Sequence, residues 1–357
     1  MKILVVRLSA IGDLVMASPL ISTLKTKFPD AEIHWLAQPE CAPVLNTHPE
    51  LSSVITWPRQ EWRNLWKQRR YRELIKTINQ FRHLLHQQHF DLVLDIQGLL
   101  KSGILTWFTG APRRIGLGSK EGSRIFMTEV VSRMAANADR IGSEYQYLAE
   151  HLGCETSGFE MSVTPSDASI ANAMQLLRDS SQTEPFVVLC PFTTRAQKHW
   201  IDASWLELAN ALEKQQISCV MLGGPGDKEA AKPLSSHSNI TSLVGKTSLP
   251  EAAAIINSAC ALIGVDTGLT HIGHAMSTPT IALFGSTRPY TDAGVTSSKV
   301  IYHERDCSPC RRNPTCEGRF DCMQDITSEE VMIELAEKLS ILQNNSIQVT
   351  RLEPSRH

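Results

Sequence analysis

The sequence predicts an α/β fold built from two doubly wound, Rossmann-like units. Short apolar runs alternate with helical stretches along the chain, which implies parallel sheets covered by helices on both faces. The runs are apolar along most of their length, as strands buried on two sides are, and one polar stretch in mid-chain interrupts the alternation before it resumes. A chain of 357 residues, 42% of them hydrophobic, is long enough for two ordinary cores.

In the first half KILVVRL leads into a helix from about Gly12 to Lys27, followed by EIHWLA, SSVITW, a long basic helix and DLVLDIQ. The second half repeats the pattern with FVVLCPF, SCVMLGG, ITSLVG, CALIGVD and TIALFG, separated by helices such as DASWLELANALEKQ and PEAAAIINSA. Between them Glu155 to Asp167 is rich in Ser, Thr and Gly and lacks apolar spacing, so the units are expected over 1–162 and 163–342. From 343 to 357 the chain is polar and aperiodic and is expected to trail as a disordered tail. Arg7 and Asp13 interrupt the apolar opening, which therefore reads as a buried first strand rather than a signal peptide. No window approaches the roughly 18 consecutive apolar residues of a membrane-spanning helix.

Ligands of such sheets sit outside the carboxyl ends of the strands, and three motifs fall there. Ser9 to Asp13 joins the first strand to a helix. A helix-start Asp ordinarily satisfies free N–H groups, but a carboxylate there is also placed to take a proton from a hydroxyl nucleophile. The loop after FVVLC carries Thr193, Thr194 and Lys198: two hydroxyls and a cation suited to a phosphate. The third motif, Asp266-Thr267-Gly268-Leu269-Thr270-His271 after CALIGV, is a strand, a tight turn and a helix start that together form an anion-binding nest. His271 suits either a phosphate oxygen or a backbone carbonyl. The turn GGPGD ends in Asp227, an acceptor suited to ribose hydroxyls. The chain has no Asp-x-Asp pair for a catalytic metal, no G-x-G-x-x-G and no P-loop, so dehydrogenase and NTPase readings lose their main support.

The net charge of -2 gives no reason to expect a nucleic-acid partner. Charge is nevertheless concentrated: Arg59, Arg63, Lys67, Arg69, Arg70, Arg72, Lys76 and Arg82 face only Glu61 and Glu73, with Trp57, Trp62 and Trp66 interleaved. That stretch suits an anionic, amphiphilic partner; the plainer reading is a solvated helix whose tryptophans pack inward. Five of the nine cysteines are scattered and read as small buried hydrophobes, whereas Cys307, Cys310, Cys316 and Cys322 cluster beside Arg311, Arg312 and Arg319. Their C-x-x-C opening allows a structural zinc or iron site, although the spacing is irregular for a zinc ribbon. Reduced thiols and adventitious disulfides are the alternatives.

The segments RLSAIGDLVMASPLISTLK, DLVLDIQGLLKS, PFTTRAQKHW, LGGPGD and GVDTGLTHIGHAM followed by TIALFGST together resemble the heptosyltransferases of glycosyltransferase family 9, in order and spacing, from about Met1 to Leu342. TTRAQKHW and the Trp62-Arg63 pair are more similar to the enzymes adding the first heptose. Asp227, where those enzymes have a glutamate, and the cysteine cluster depart from them. The resemblance implies a GT-B architecture, two Rossmann-like domains facing an interdomain cleft, with the acceptor on the N-terminal domain and an ADP-heptose donor on the C-terminal one. It implies inverting transfer that needs no cofactor, with Asp13 as general base and Lys198 stabilising the departing diphosphate. Thr193, Thr194, Lys198, Thr267, Gly268 and His271 then contact the donor, Asp266 braces the turn, and Asp227 takes the nucleoside position. Arg63, Lys67, Lys101 and Arg124 become contacts for a phosphorylated, Kdo-bearing lipid A or inner-core lipopolysaccharide. A cytoplasmic enzyme, peripheral at the inner membrane, is expected. A same-fold transferase with another acceptor, or a nucleotide-sugar-binding regulator without turnover, are the rival readings; the regulator leaves Asp13 unexplained.

Overall fold

The structure, a computed structural model, describes residues 1–133, 139–182, 184–310 and 313–351, with side chains described up to 339. Two compact units separate, Met1–Ala138 with Gly142–Thr164, and Asp139–Ile141 with Pro165–His357. The first holds β1 (Lys2–Val6), β2 (Glu32–Ala37), β3 (Ser53–Thr56), β4 (Leu92–Asp95), β5 (Arg113–Leu117) and β6 (Glu129–Val131) in one sheet, ordered β3-β2-β1-β4-β5-β6. The second holds β7 (Phe186–Cys190), β8 (Ser218–Met221), β9 (Ile240–Ser242), β10 (Ala261–Val265), β11 (Thr280–Phe284) and β12 (Lys299–Tyr302), ordered β12-β11-β10-β7-β8-β9. Every pairing is parallel. The two orders are the same doubly wound topology, so each sheet has one place where neighbouring strands lead away in opposite directions: β1 beside β4, and β7 beside β10.

The central strands explain themselves. Ile3, Leu4, Val5 and Val6 of β1 and all of β7 and β10 are buried, because helices cover both faces. Leu4, Val6 and Val93 pack with Trp57, Phe81, Leu85 and Phe108 in the first unit, and Leu189, Met221 and Ile263 pack with Trp200, Trp205, Leu208 and Leu212 in the second. β5, β6 and β12 are not evident in the sequence, because RRIGL, EVV and KVIY are short and flanked by polar residues.

Two expected helices are broken. The first divides into Ile11–Ala17 and Pro19–Lys27, where Pro19 lacks the N–H that would continue the ladder. The basic one divides into Arg59–Lys67 and Tyr71–Gln87, with Arg69 at φ 56 between them. The chain end differs too: the last helix spans Ser328–Arg351, so the stretch from 343 expected as a loose tail begins inside a helix, and 352–357 lie outside the described residues. No helix among the described residues is long and apolar enough to cross a membrane.

Gly264 shows how closely a helix approaches the second sheet. A Cβ there would lie 2.3 Å from Thr270 Oγ1 and 3.0 Å from Cys190 Cβ. Gly264→Ala is expected to destabilise the C-terminal unit by about 1–3 kcal/mol through overpacking. Urea unfolding followed by tryptophan fluorescence checks this; an unchanged midpoint would mean that the helix Gly268–Ala275 yields at little cost.

Candidate functional site

In the second unit the loops after β7 and β10 leave the sheet where strand order reverses, and they carry the second and third motifs. Lys198 Nζ donates to Asp266 Oδ2 at 2.6 Å, and both side chains are largely buried. The Thr287 hydroxyl donates to the same oxygen. His271 Nε2 lies 3.5 Å from Asp266 Oδ1, and its Nδ1 lies 2.8 Å from the hydroxyl of the fully buried Tyr290. Burial alone would raise the Asp266 carboxyl, but the hydrogen bond and charge of His271, with Lys198, hold it well below the ordinary range.

The neighbouring loop is braced from behind. Trp200, two residues past Lys198, is buried edge-on against Trp205 and donates its Nε1–H to Ile326 O at 2.8 Å. Thr270 donates to Val265 O at 2.6 Å, fixing the turn in which Thr267 stands at the N-cap position of the helix Gly268–Ala275 without a side-chain cap bond. Thr193 is half-buried and Thr194 exposed, with the Thr193 carbonyl 2.9 Å from His199 Nε2. Asp227 is turned inward on its own loop, where its Oδ2 accepts from the Gly224 N–H at 2.8 Å.

In the first unit the loops after β1 and β4 occupy the corresponding position. Asp13, in the first turn of the helix Ile11–Ala17, accepts at Oδ2 from the Ala10 N–H at 3.0 Å and pairs with Arg7 at 2.5 Å. Gln97 Oε1 accepts from the backbone N–H groups of Leu8 and Ser9, tying the two loops together. Asp95 caps the turn after β4 by accepting from Gln97, Gly98 and Ser102, and burial pushes its carboxyl up to about 6. Gly98 stands at φ +68, where a Cβ would lie 2.5 Å from Leu117 O, so the turn demands glycine.

The basic candidates lie in this unit as well. Arg63 and Lys67 project from the helix Arg59–Lys67, and Arg124 is exposed in the short turn Ser123–Phe126. Lys101 is half-buried on the helix Leu100–Phe108; burial lowers its pKa, and so do the nearby Arg59 and Arg7, which marks a local surplus of positive charge. Trp57 and Trp62 pack inward, as the plainer reading has it, while Trp66 stays 62% exposed.

Among the described residues no three His, Cys, Asp or Glu side chains are placed to hold a metal ion, so the structure lends no support to the zinc or iron site that the spacing of Cys307, Cys310, Cys316 and Cys322 allows. Cys322 belongs to the apolar core, its thiol pushed up to about 11 by burial and by the other three thiols, whereas Cys307 is exposed. The ligand set is thus split between core and surface. All nine thiols are free, and Arg311 and Arg312 lie outside the described residues.

Arg7, Thr287 and Tyr290 were not singled out as site residues from the sequence. A lone charge in an apolar strand is a signal for the first. Thr287 and Tyr290 lie in a loop some twenty residues after Asp266 with no motif to mark them.

A family model described as glycosyltransferase family 9 (heptosyltransferase) matches residues 78–320. Lipopolysaccharide heptosyltransferase 1 of Pseudomonas aeruginosa is 28% identical over 337 residues, 91% of this chain and 92% of that protein. Lipopolysaccharide heptosyltransferase 2 of Salmonella typhimurium is 26% identical over 358 residues, 95% of this chain and 99% of that protein. Among solved structures, the ADP-heptose LPS heptosyltransferase II of E. coli superposes with a TM-score of 0.75 at 24% identity, covering 97% of this chain and 100% of that one. E. coli heptosyltransferase WaaC with ADP-2-deoxy-2-fluoro heptose gives 0.71 at 23% identity, covering 94% and 99%. Two doubly wound units that superpose on these structures define a protein of the GT-B type. The chain belongs to glycosyltransferase family 9 and is a glycosyltransferase.

One pH response follows from the helix Gly268–Ala275. His274 is fully buried, and burial together with the charge of His271 lowers its pKa to about 3. The unfolded chain takes up a proton there below about pH 6.5, while the folded unit does not. Stability should therefore fall as pH drops from about 6.5 toward 3, by up to about 1.4 kcal/mol per pH unit from this group. Urea unfolding at pH 7, 6 and 5 should show this slope reduced by one proton in His274→Gln; identical slopes would remove His274 as its source.

Proposed function

We propose that this enzyme transfers a heptose from ADP-heptose to the Kdo-bearing inner core of lipopolysaccharide, with inversion and without a catalytic metal. The observation that carries the reading is the buried Lys198-Asp266-His271 constellation at the β7/β10 crevice, beside the free N–H groups that open the helix Gly268–Ala275. A departing ADP needs its growing negative charge neutralised, and a held ammonium with a helix start supplies that where no Asp-x-Asp pair exists. Relatives across most of the chain's length are named lipopolysaccharide heptosyltransferases, and E. coli WaaC has been solved with an ADP-heptose analogue.

In this reading Asp13 takes the proton from the acceptor hydroxyl as its oxygen forms a bond to the anomeric carbon. The bond from that carbon to the phosphate oxygen breaks, and ADP leaves with the electron pair. Lys198, Thr193, Thr194, Thr267, Gly268 and His271 hold the diphosphate, and Asp266 orients Lys198 and His271. Asp227, already engaged by Gly224, is the weakest member as a nucleoside contact. Arg63, Lys67, Lys101 and Arg124 receive the anionic acceptor, because guanidinium and ammonium groups suit phosphate and carboxylate. Peripheral contact with the cytoplasmic face of the inner membrane fits the same unit. Trp66 meets Tyr71 edge-on, and Arg82 lies over Trp107; Trp66, Tyr71, Ile75, Trp107 and Ile125 are all exposed among these cations.

Incubation with ADP-heptose and a panel of truncated core acceptors, read by product mass, tests the activity, and excess EDTA should leave the rate unchanged. Asp13→Asn should lower turnover by about 10²-fold or more while ADP affinity holds; near-normal turnover would sink the base assignment. Lys198→Ala should weaken ADP binding and cut the rate by about 10²–10³-fold, and unchanged ADP affinity would contradict its role. For the membrane, sedimentation with vesicles containing anionic lipid should carry down the protein, and a Trp66→Ser, Trp107→Ser, Ile125→Ser variant should stay in solution. Equal sedimentation of the two would refute this surface.

A further inference from the structure

Arg7 follows β1 and is almost wholly enclosed, with its side chain 8% exposed against 33% for Asp13. It is held at three points. Its Nη1 donates to Ile96 O at 3.0 Å, across to the loop after β4; its Nη2 pairs with Asp13 Oδ2 at 2.5 Å; and its carbonyl accepts from Trp35 Nε1 at 3.1 Å. Asp13 Oδ2 is further occupied by the Ala10 N–H, while Oδ1 accepts no hydrogen bond among the described residues. A buried guanidinium is costly unless paired, so this pair is not an incidental surface contact.

We propose that Arg7 is a positioning residue for the transfer reaction: it fixes one oxygen of Asp13 so that the other is presented to the acceptor hydroxyl. The proposal rests on Asp13 being the base. Misplacing a reacting group by about 1 Å can cost on the order of a hundredfold in rate, so removing Arg7 slows the reaction.

The surroundings keep the effect specific to Asp13. Tyr145 also faces Arg7, but burial pushes its hydroxyl far up, so it stays neutral. Glu144 is engaged by Arg133 at 2.6 Å. Cys41, beside Glu40, Asp13 and Arg7, is pushed up to about 11, chiefly by burial, and Lys101 contributes only positive charge. Asp13 is thus the carboxylate facing Arg7 that the guanidinium holds in place.

The test compares Arg7→Met, Arg7→Lys, Asp13→Asn and the Arg7→Met/Asp13→Asn double variant, with folding checked by circular dichroism. Arg7→Met should lower kcat about ten- to hundredfold with the donor KM within about twofold. Arg7→Lys should restore most of the rate. The double variant should be no slower than Asp13→Asn alone, because Arg7 acts through that carboxylate. Should Arg7→Met not fold, Arg7→Gln, which can still donate to Ile96 O, carries the same expectations. Arg7→Met turnover within twofold of the parent, or an equal further loss in the Asp13→Asn background, overturns the proposal. If Asp13→Asn itself turns over normally, the base reading falls and takes this role with it; if Asp13→Asn is inactive while Arg7→Met is not, only the role of Arg7 falls.

Discussion

The reversal of strand order at β1/β4 and at β7/β10 is the constraint on which the rest depends. Parallel strands must be joined by crossovers, and where neighbouring strands send their crossovers to opposite faces, the loops at their carboxyl ends diverge. Backbone N–H groups and side chains from both loops then face a crevice that no covering helix fills. In this chain the same order occurs twice, and each crevice gathers one anchored cation and one carboxylate: Arg7 with Asp13, and Lys198 with Asp266.

The two pairs are built alike but are buried on opposite sides. Both cations are taken from water, which is unfavourable unless a partner and further hydrogen bonds offset it. In the second unit the carboxylate is the better buried partner; it accepts from Lys198 and Thr287 and faces His271, so it stays ionised and holds a positive surface in place. In the first unit the guanidinium is the buried partner and the carboxylate is open on one side. The first arrangement suits binding an anion and the second suits taking up a proton.

Neither crevice would hold its shape without the packing behind it. Trp200 against Trp205, with its bond to Ile326, stiffens the loop that carries Lys198. Gln97 and Arg133 tie the loop after β4 to its surroundings, Arg133 through the carbonyls of Ile96 and Gln97. Glycine at 264 lets a helix lie close enough to the sheet for Thr270 to reach Val265. The irregular cysteines show the opposite case: Cys322 packs into the core while Cys307 stays exposed, and no ligand set is assembled among the described residues.

The sequence by itself determined the fold class, the order of the central strands in the chain, the two-unit division and the family, because buried parallel strands need continuous apolar runs and the loop motifs are contiguous. It placed Asp13, Lys198 and the Asp266 to His271 turn at strand ends for the same local reason. Only the tertiary structure decided which of those groups meet. Lys198 and Asp266 are 68 residues apart, Arg7 reaches a carbonyl 89 residues away, and Tyr290 finds His271 from an unmarked loop. It also decided the short edge strands, the breaks at Ser18 and Arg69 and the fate of the cysteines, since these depend on neighbours from other elements that no local pattern encodes.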